Sequence, residues 1–167
     1  MQHLVRTLLL LSIAVLPVAG VMAQEPSPVA DIQWARYHDA DSGTSLDYPA
    51  SVFTSPAGAP ALGTGQRFTS HDGRAMLSIY SLPNTDRETP SSFLHKNIRA
   101  EVQQVQYQRV TPRFLALSTE SEGRIYYTRC NFARTGVIHC FDLTYPADEK
   151  SEWDPFVTRM SHSLASR

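Results

Sequence analysis

Lysine is almost missing from this sequence: of 167 residues only Lys96 and Lys150 carry an ammonium group, so arginine supplies nearly all the positive charge. Cysteine is as scarce. Cys130 and Cys140 are the only two, and neither stands in a C-x-x-C pair, which argues against a thioredoxin-type redox motif and a thiol-rich zinc site. A large net charge is missing too. The formal charge is −1, far from the basic excess of a dedicated nucleic-acid surface, and too small for purely electrostatic adhesion to a membrane. There is no G-x-S-x-G, no H-E-x-x-H, no phosphate loop and no pair of carboxylates spaced for acid–base work.

Two stretches approach a ligand motif and stop short. Gly63-Thr64-Gly65 lacks the Lys-Ser/Thr step and the following helix of a phosphate cradle. Asp39-Ala40-Asp41-Ser42-Gly43 resembles the start of a calcium loop. Counted from Asp39, however, the glycine position holds Thr44 and the bidentate glutamate position holds Ala50. A polar turn is expected there, and neither a metal nor an organic cofactor is expected anywhere.

Residues 1–23 combine Arg6, an apolar run from Leu8 to Leu16, Pro17 and Gly20, and then Val21-Met22-Ala23 ahead of Gln24. That is the layout of a cleaved secretory signal. An uncleaved anchor is the alternative, since Leu4 to Ala23 approaches the roughly 20 residues that span a bilayer. Cleavage leaves 144 residues with fourteen basic and sixteen acidic side chains, a balance of −2. The expected organisation is a signal peptide over 1–23, a proline-containing linker over 24–32 and a single domain over 33–167. The expected location is periplasmic or secreted, with no stable membrane insertion after cleavage.

Alternating apolar patterns place strands at Trp34 to His38, Thr44 to Tyr48, Arg67 to Ser70 and Ala75 to Leu82. Phe53 to Gly65 is expected to be an irregular loop, and Tyr107 to Ser118 one strand with a bulge or edge position near Pro112. A helix is expected to start at Thr89-Pro90, with Phe93, Leu94, Ile98, Val102 and Val105 as its apolar stripe. A second helix carries Trp153, Phe156, Val157, Met160 and Leu164, capped by Ser151 or Asp154, with Pro155 in its first turn.

Ile125 to Phe132 and Val137 to Tyr145 flank Ala133-Arg134-Thr135-Gly136 and read as a hairpin. A three-residue loop Arg134-Thr135-Gly136 puts Ala133 opposite Val137 and Cys130 opposite Cys140, with Cα atoms about 4.5 to 5.5 Å apart. In an oxidising compartment that pair forms a structural disulfide, stabilising by roughly 3 kcal/mol on the chain-entropy argument. A redox pair, or half a metal site with His139, are the competing readings.

These elements make an α+β domain, a mostly antiparallel β-sheet flanked by two main helices. The order of elements, the early strand ending in Tyr48-Pro49, the central helix and the closing Ser163-Leu164 resemble the superfamily of the photosystem accessory protein PsbP and the Ran-binding protein Mog1. Cys130-Asn131-Phe132, His139-Cys140-Phe141 and Trp153-Asp154-Pro155 are similar to small secreted proteins of α-proteobacteria. The resemblance implies a binding or accessory module, and it transfers no partner residue.

The expected function is therefore a non-catalytic module for a protein or envelope component. Arg109, Arg113, Arg124, Arg129 and Arg134, set against only Glu120 and Glu122 in that window, are a candidate anion-binding patch. A solvated sheet face is the plainer reading of the same arginines. The alternative function is a small secreted hydrolase built on His71, His95 or His139 with a serine or carboxylate.

Overall fold

The computed structural model describes residues 32–98 and 104–165. The expected signal segment and all of the expected linker except Ile32 lie outside the described residues. Strands β1 (Trp34–His38) and β2 (Ser45–Pro49) form an antiparallel hairpin of their own. The remaining strands are β3 (Ser55–Pro56), β4 (Thr64–Thr69), β5 (Met76–Pro83), β6 (Gln104–Val110), β7 (Phe114–Ser121), β8 (Arg124–Phe132) and β9 (Val137–Pro146). They make one antiparallel sheet in the order β3-β4-β5-β9-β8-β7-β6. Helix α1 (Pro90–Asn97) follows β5, and α2 (Lys150–Ser163) follows β9 through a 3₁₀ turn at Ala147–Glu149.

Side chains alternate across a pleated strand, so β9 sorts the interior into two faces. Phe141, Leu143 and Tyr145 point to one face, where they join Leu46, Ile79, Trp153 and Met160 in the larger core cluster. The β1–β2 hairpin and α2 roof that face. Ile138 and Cys140 point the other way, into a smaller cluster with Tyr80, Leu115, Phe93 and Leu94. There the roof is α1, two turns long and seated over β7.

Cys130 and Cys140 are register partners and are bonded, both fully buried. The Ala133 N–H donates to the Val137 carbonyl at 2.9 Å, closing the three-residue loop, and Gly136 supplies the required φ of 80°. Counting back from that pair makes Cys130 and Cys140 a non-hydrogen-bonded pair, the closer of the two ladder types. Consistently, the Phe132 N–H turns away from β9 and donates to the Arg113 carbonyl at 2.8 Å. The Cα–Cα distance is 4.1 Å, somewhat shorter than the expected range.

Four local expectations are corrected. Tyr107 to Ser118 is not one strand: the chain reverses at Thr111-Pro112-Arg113, where the Thr111 hydroxyl accepts from the N–H groups of Arg113 and Phe114 at 3.3 and 3.1 Å. The bulge lies earlier, between Val105 and Tyr107 on the edge strand β6. Helix α1 ends at Asn97, so Val105 belongs to β6 and is 47% exposed, while Val102 lies outside the described residues. The loop from Phe53 contains β3 and passes into β4 at Thr64. Its Gly65 is demanded by packing, since a Cβ there would sit 2.0 Å from the Ile79 carbonyl oxygen.

The fourth correction concerns α2, which begins at Lys150 without a side-chain cap, leaving Pro155 inside the helix and past its first turn. The Glu149 carboxylate, which a cap would have used, bonds instead to the Trp153 indole N–H at 3.1 Å and to Arg74.

Candidate functional site

The half-roofed face leaves a groove of about 420 Å³ beside α1. Its floor is one row of side chains running across the sheet in register: Arg67 on β4, Ser78 on β5, Asp142 on β9, Thr128 on β8 and Leu117 on β7. Phe93, Asn97 and Ile98 of α1 form one wall, and Leu62 and Met76, 40% and 39% exposed, form the opposite rim. The next row toward α1 holds Tyr80, Cys140 and Cys130, so the disulfide ties β8 to β9 directly alongside the floor.

Among the described residues Asp142 is the one acidic side chain lining this groove. The Thr128 hydroxyl donates to its Oδ1 at 2.8 Å. Burial pushes its carboxyl up to about 6, against the pull of the Thr128 and Tyr80 hydroxyls, which favour the ionised form. The Tyr80 phenol is itself pushed up, first by burial and then by the neighbouring Asp142 charge. A concave, largely apolar site with a few converging polar groups and a perturbed carboxyl has the make-up of a ligand pocket. A larger concavity of about 870 Å³ lies between β1–β2 and α2, but it is a shallow trough. Its Arg36 and Asp47 are already paired at 2.6 Å, and its Arg159 stacks 3.9 Å over the Trp34 ring.

The three candidate histidines do not converge. His71 sits exposed in the β4–β5 turn, and His95 is exposed on α1 with Nδ1 2.7 Å from the Ser91 carbonyl oxygen. His139 is fully buried on the roofed face. Its Nδ1 lies 2.7 Å from the Thr44 hydroxyl, which continues through Ser42 to the Asp39 carboxylate. Burial lowers the His139 pKa, and Nε2 has no hydrogen-bond partner. Thr44 is only 1% exposed, so the imidazole end of this chain is sealed, while Ser42 and Asp39 at its outer end border a separate concavity. The chain of hydroxyls secures the β1–β2 turn to the sheet, and the Asp39 and Asp41 of that turn serve it: the Asp39 carboxylate accepts from the Ser42 hydroxyl and the Asp41 N–H. Among the described residues no group of three or more His, Cys, Asp or Glu side chains is placed to hold a metal ion.

The five arginines fall into three places. Arg109 and Arg129 share a row through Ala116, and both guanidiniums lie over the Phe114 ring, at 5.5 and 3.8 Å from its centroid. Burial lowers the Arg129 pKa, and Arg109 adds to that as a like charge. Arg113 and Arg134 occupy the β6–β7 and β8–β9 turns at one end of the sheet. Arg124 starts β8 at the other end, donating to the Arg74 carbonyl at 2.7 Å.

No family model matches the sequence, and no curated protein sequence matches it. Among solved structures the chain is similar to the solution structure of cyanobacterial PsbP (CyanoP) from Synechocystis sp. PCC 6803. The TM-score is 0.61 at 14% identity, covering 87% of this chain and 99% of that one. At that identity the likeness is one of fold alone: this is a PsbP-like α+β domain. Among the described residues no helix is long and apolar enough to cross a membrane.

Proposed function

We propose that the protein is an accessory binding module that works outside the cytoplasm, in a periplasm or a secreted space, and carries out no chemistry of its own. The observation that carries this reading is the half-roofed face, where a shaped groove with an apolar rim lies beside α1, while the opposite face is packed under α2 and the β1–β2 hairpin along its centre. The buried Cys130–Cys140 bridge agrees with an oxidising compartment. The scattered histidines give a hydrolase no nucleophile, base and orienting acid in one place.

Site-specific photo-cross-linking in the exporting cell tests the reading. A cross-linker at Met76 or Leu62 is expected to capture a defined partner, and one at Glu152, exposed on α2, is not. Equal capture from both sides, or from neither, refutes it. The same purified material is expected to have an intact mass that starts near Gln24; full-length chain in the membrane fraction refutes the extracytoplasmic half of the reading.

A second contact is proposed on the other face, at the β6 edge of the sheet, where Arg109 and Arg129 share one aromatic ring. Neither guanidinium is ion-paired to a described acid; Arg129 is held by Asn131 and Ser161 at 3.1 and 3.4 Å, and Arg109 beside it over Phe114 suits a carboxylate or phosphate of the partner. Replacing both by glutamine is expected to weaken partner capture and flatten its salt dependence. Unchanged capture and salt dependence remove the second contact.

A further inference from the structure

The groove beside α1 holds a charge that the fold itself does not use. Elsewhere the acidic groups close to cations are paired: Asp47 with Arg36, Glu149 with Arg74, Asp86 and Glu88 with Lys96, Asp154 with Lys150. Asp142 has no cationic partner among the described residues, and its known donors, Thr128 and Tyr80, are neutral. Keeping a carboxylate in a semi-enclosed apolar site without a counter-charge costs free energy. A leucine or threonine on this row, like Leu117 and Thr128 beside it, would fill the same place without that cost.

The surroundings say what would satisfy it. Phe93, Ile98, Leu117, Met76 and Tyr126 supply apolar and aromatic surface, and π-faces attract cations. Among the described residues Arg67 is the only cationic side chain lining the groove. It lies two strands away from Asp142 and is already committed, with Nε and Nη2 donating to the Ala57 carbonyl at 3.2 and 2.8 Å. A volume of about 420 Å³ suits a small molecule.

We propose that the groove binds a small organic cation, a primary ammonium on an apolar or aromatic body. The ammonium bonds to Asp142 and the body lies against Leu117, Phe93 and Met76. This rests on the reading of the half-roofed face as the binding site, and it names the ligand class. The ammonium donates to the carboxylate beside the neutral hydroxyls of Thr128 and Tyr80, adding a charge-assisted hydrogen bond in a site of low polarity.

Binding then depends on the charge of Asp142. The titratable and charged groups facing it are Arg67 from β4, Tyr80 from β5 and Tyr126 from β8. The Tyr127 hydroxyl bonds Ser161 on the opposite face, and α1 contributes only uncharged Phe93, Asn97 and Ile98. The Asp142 carboxyl, pushed up to about 6 by burial, changes charge between pH 5 and 7.5, a range in which the amine stays protonated.

Calorimetric titration of the exported protein with 2-phenylethylamine is the test, with uncharged 2-phenylethanol and anionic 3-phenylpropanoate alongside. The amine is expected to saturate one site, the alcohol to bind at least tenfold more weakly, and the acid not to bind. Affinity for the amine is expected to fall roughly tenfold between pH 7.5 and pH 5 as Asp142 takes up a proton. Asp142→Asn, with an unchanged circular dichroism spectrum, is expected to lose at least tenfold. Ser78→Lys places an internal ammonium directly across from Asp142 and is expected to abolish amine binding; it decides the matter if Asp142→Asn does not fold. Equal affinity for amine and alcohol, no saturable amine binding, or amine binding retained in Ser78→Lys overturns the proposal. If the amine fails while cross-linking from Met76 still captures a partner, the ligand class is wrong and the accessory-module reading stands; if both fail, both fall.

Discussion

His139 and Asp142 stand three residues apart on one strand and face opposite sides of one sheet, and the two sides treat charge in opposite ways. On the closed side, His139 is fully buried under the β1–β2 hairpin, held neutral, and bonded to a hydroxyl. On the half-open side, Asp142 keeps a carboxyl at the floor of a groove, with no cationic partner among the described residues. The difference follows from the roofs. Helix α2 has fourteen residues and shares its face with the hairpin, whereas α1 has eight residues and packs over one end of the other face, on Tyr80, Leu115, Cys130 and Ile138. Under α2 and the hairpin the interior is filled by Phe141, Leu143, Tyr145 and Trp153. Where cover stops, the sequence keeps polar side chains that a core has no use for.

The largest effect expected is on the closed side. Phe141→Ala removes a fully buried ring that lies 5.6 Å from the Tyr127 ring, and is expected to cost about 3 to 5 kcal/mol in denaturant unfolding. A loss under about 1 kcal/mol would mean that this face is not the dominant core. Replacing Cys130 and Cys140 by serine on the other side is expected to cost about 2 to 4 kcal/mol while the sheet stays recognisable by circular dichroism. Non-reducing peptide mapping of exported protein should find the two cysteine peptides linked; two free thiols would contradict the bridge.

Next in size is the opposed pH dependence of the two faces. The His139 pKa is lowered, so the folded state binds fewer protons there. Its contribution is present above the unfolded value near 6.5 and is lost as pH falls below it. The Asp142 carboxyl is raised from 3.8 to about 6, so the folded state binds more protons. Its penalty is absent below pH 3.8 and develops as pH rises toward 6. Asp142→Asn keeps an acceptor for Thr128 and removes the charge. It is expected to raise stability by on the order of 1 to 3 kcal/mol at pH 8, and the gain should vanish by pH 4. A gain of the same size at both pH values would show that packing, not the buried charge, is responsible.

Much of the fold was legible because its signals are local. Thr89-Pro90, the stripe from Trp153 to Leu164, and the Gly136 turn each fix their own element, and the turn alone sets the register that pairs Cys130 with Cys140. The break at Pro112 was not legible as a turn, because the side-chain bonds that make it belong to Thr111, a residue that also suits a strand. The start of α2 differs for a related reason: Ser151 and Asp154 are the local cap candidates, but the helix begins earlier, at Lys150, and Glu149 before it bonds to Trp153 and Arg74. The groove was hidden in the plainest way. Parity along Val137 to Tyr145 puts Asp142 on the same face as the inward-facing Cys140, and that signal was present in the sequence. What the sequence did not disclose is that α1 would stop at Asn97 and leave that part of the face uncovered. The arginines share the difficulty, since which of them meet depends on sheet order, and only Arg109 and Arg129 share a row.

The smallest effect expected is at the start of α1, and it bears directly on the half-open face. An eight-residue helix has few internal hydrogen bonds, so its ends weigh heavily in its stability. Here the Thr89 hydroxyl accepts from the Ser92 N–H at 3.2 Å while the Ser92 hydroxyl accepts from the Thr89 N–H at 2.9 Å, and Pro90 occupies the first helical position. Helix α2 has fourteen residues, begins without a side-chain cap, and is held by Trp153 and Met160 in the larger core. Thr89→Ala is therefore expected to cost about 1 kcal/mol of global stability. Its local effect is expected to be greater, because Phe93, Asn97 and Ile98 reach the groove only while α1 is formed. Hydrogen exchange should speed up across Phe93 to Ile98 and stay unchanged at Phe156 to Met160 in α2. Uniform acceleration in both helices would mean that α1 unfolds only with the whole domain, and that the two roofs are one cooperative unit after all.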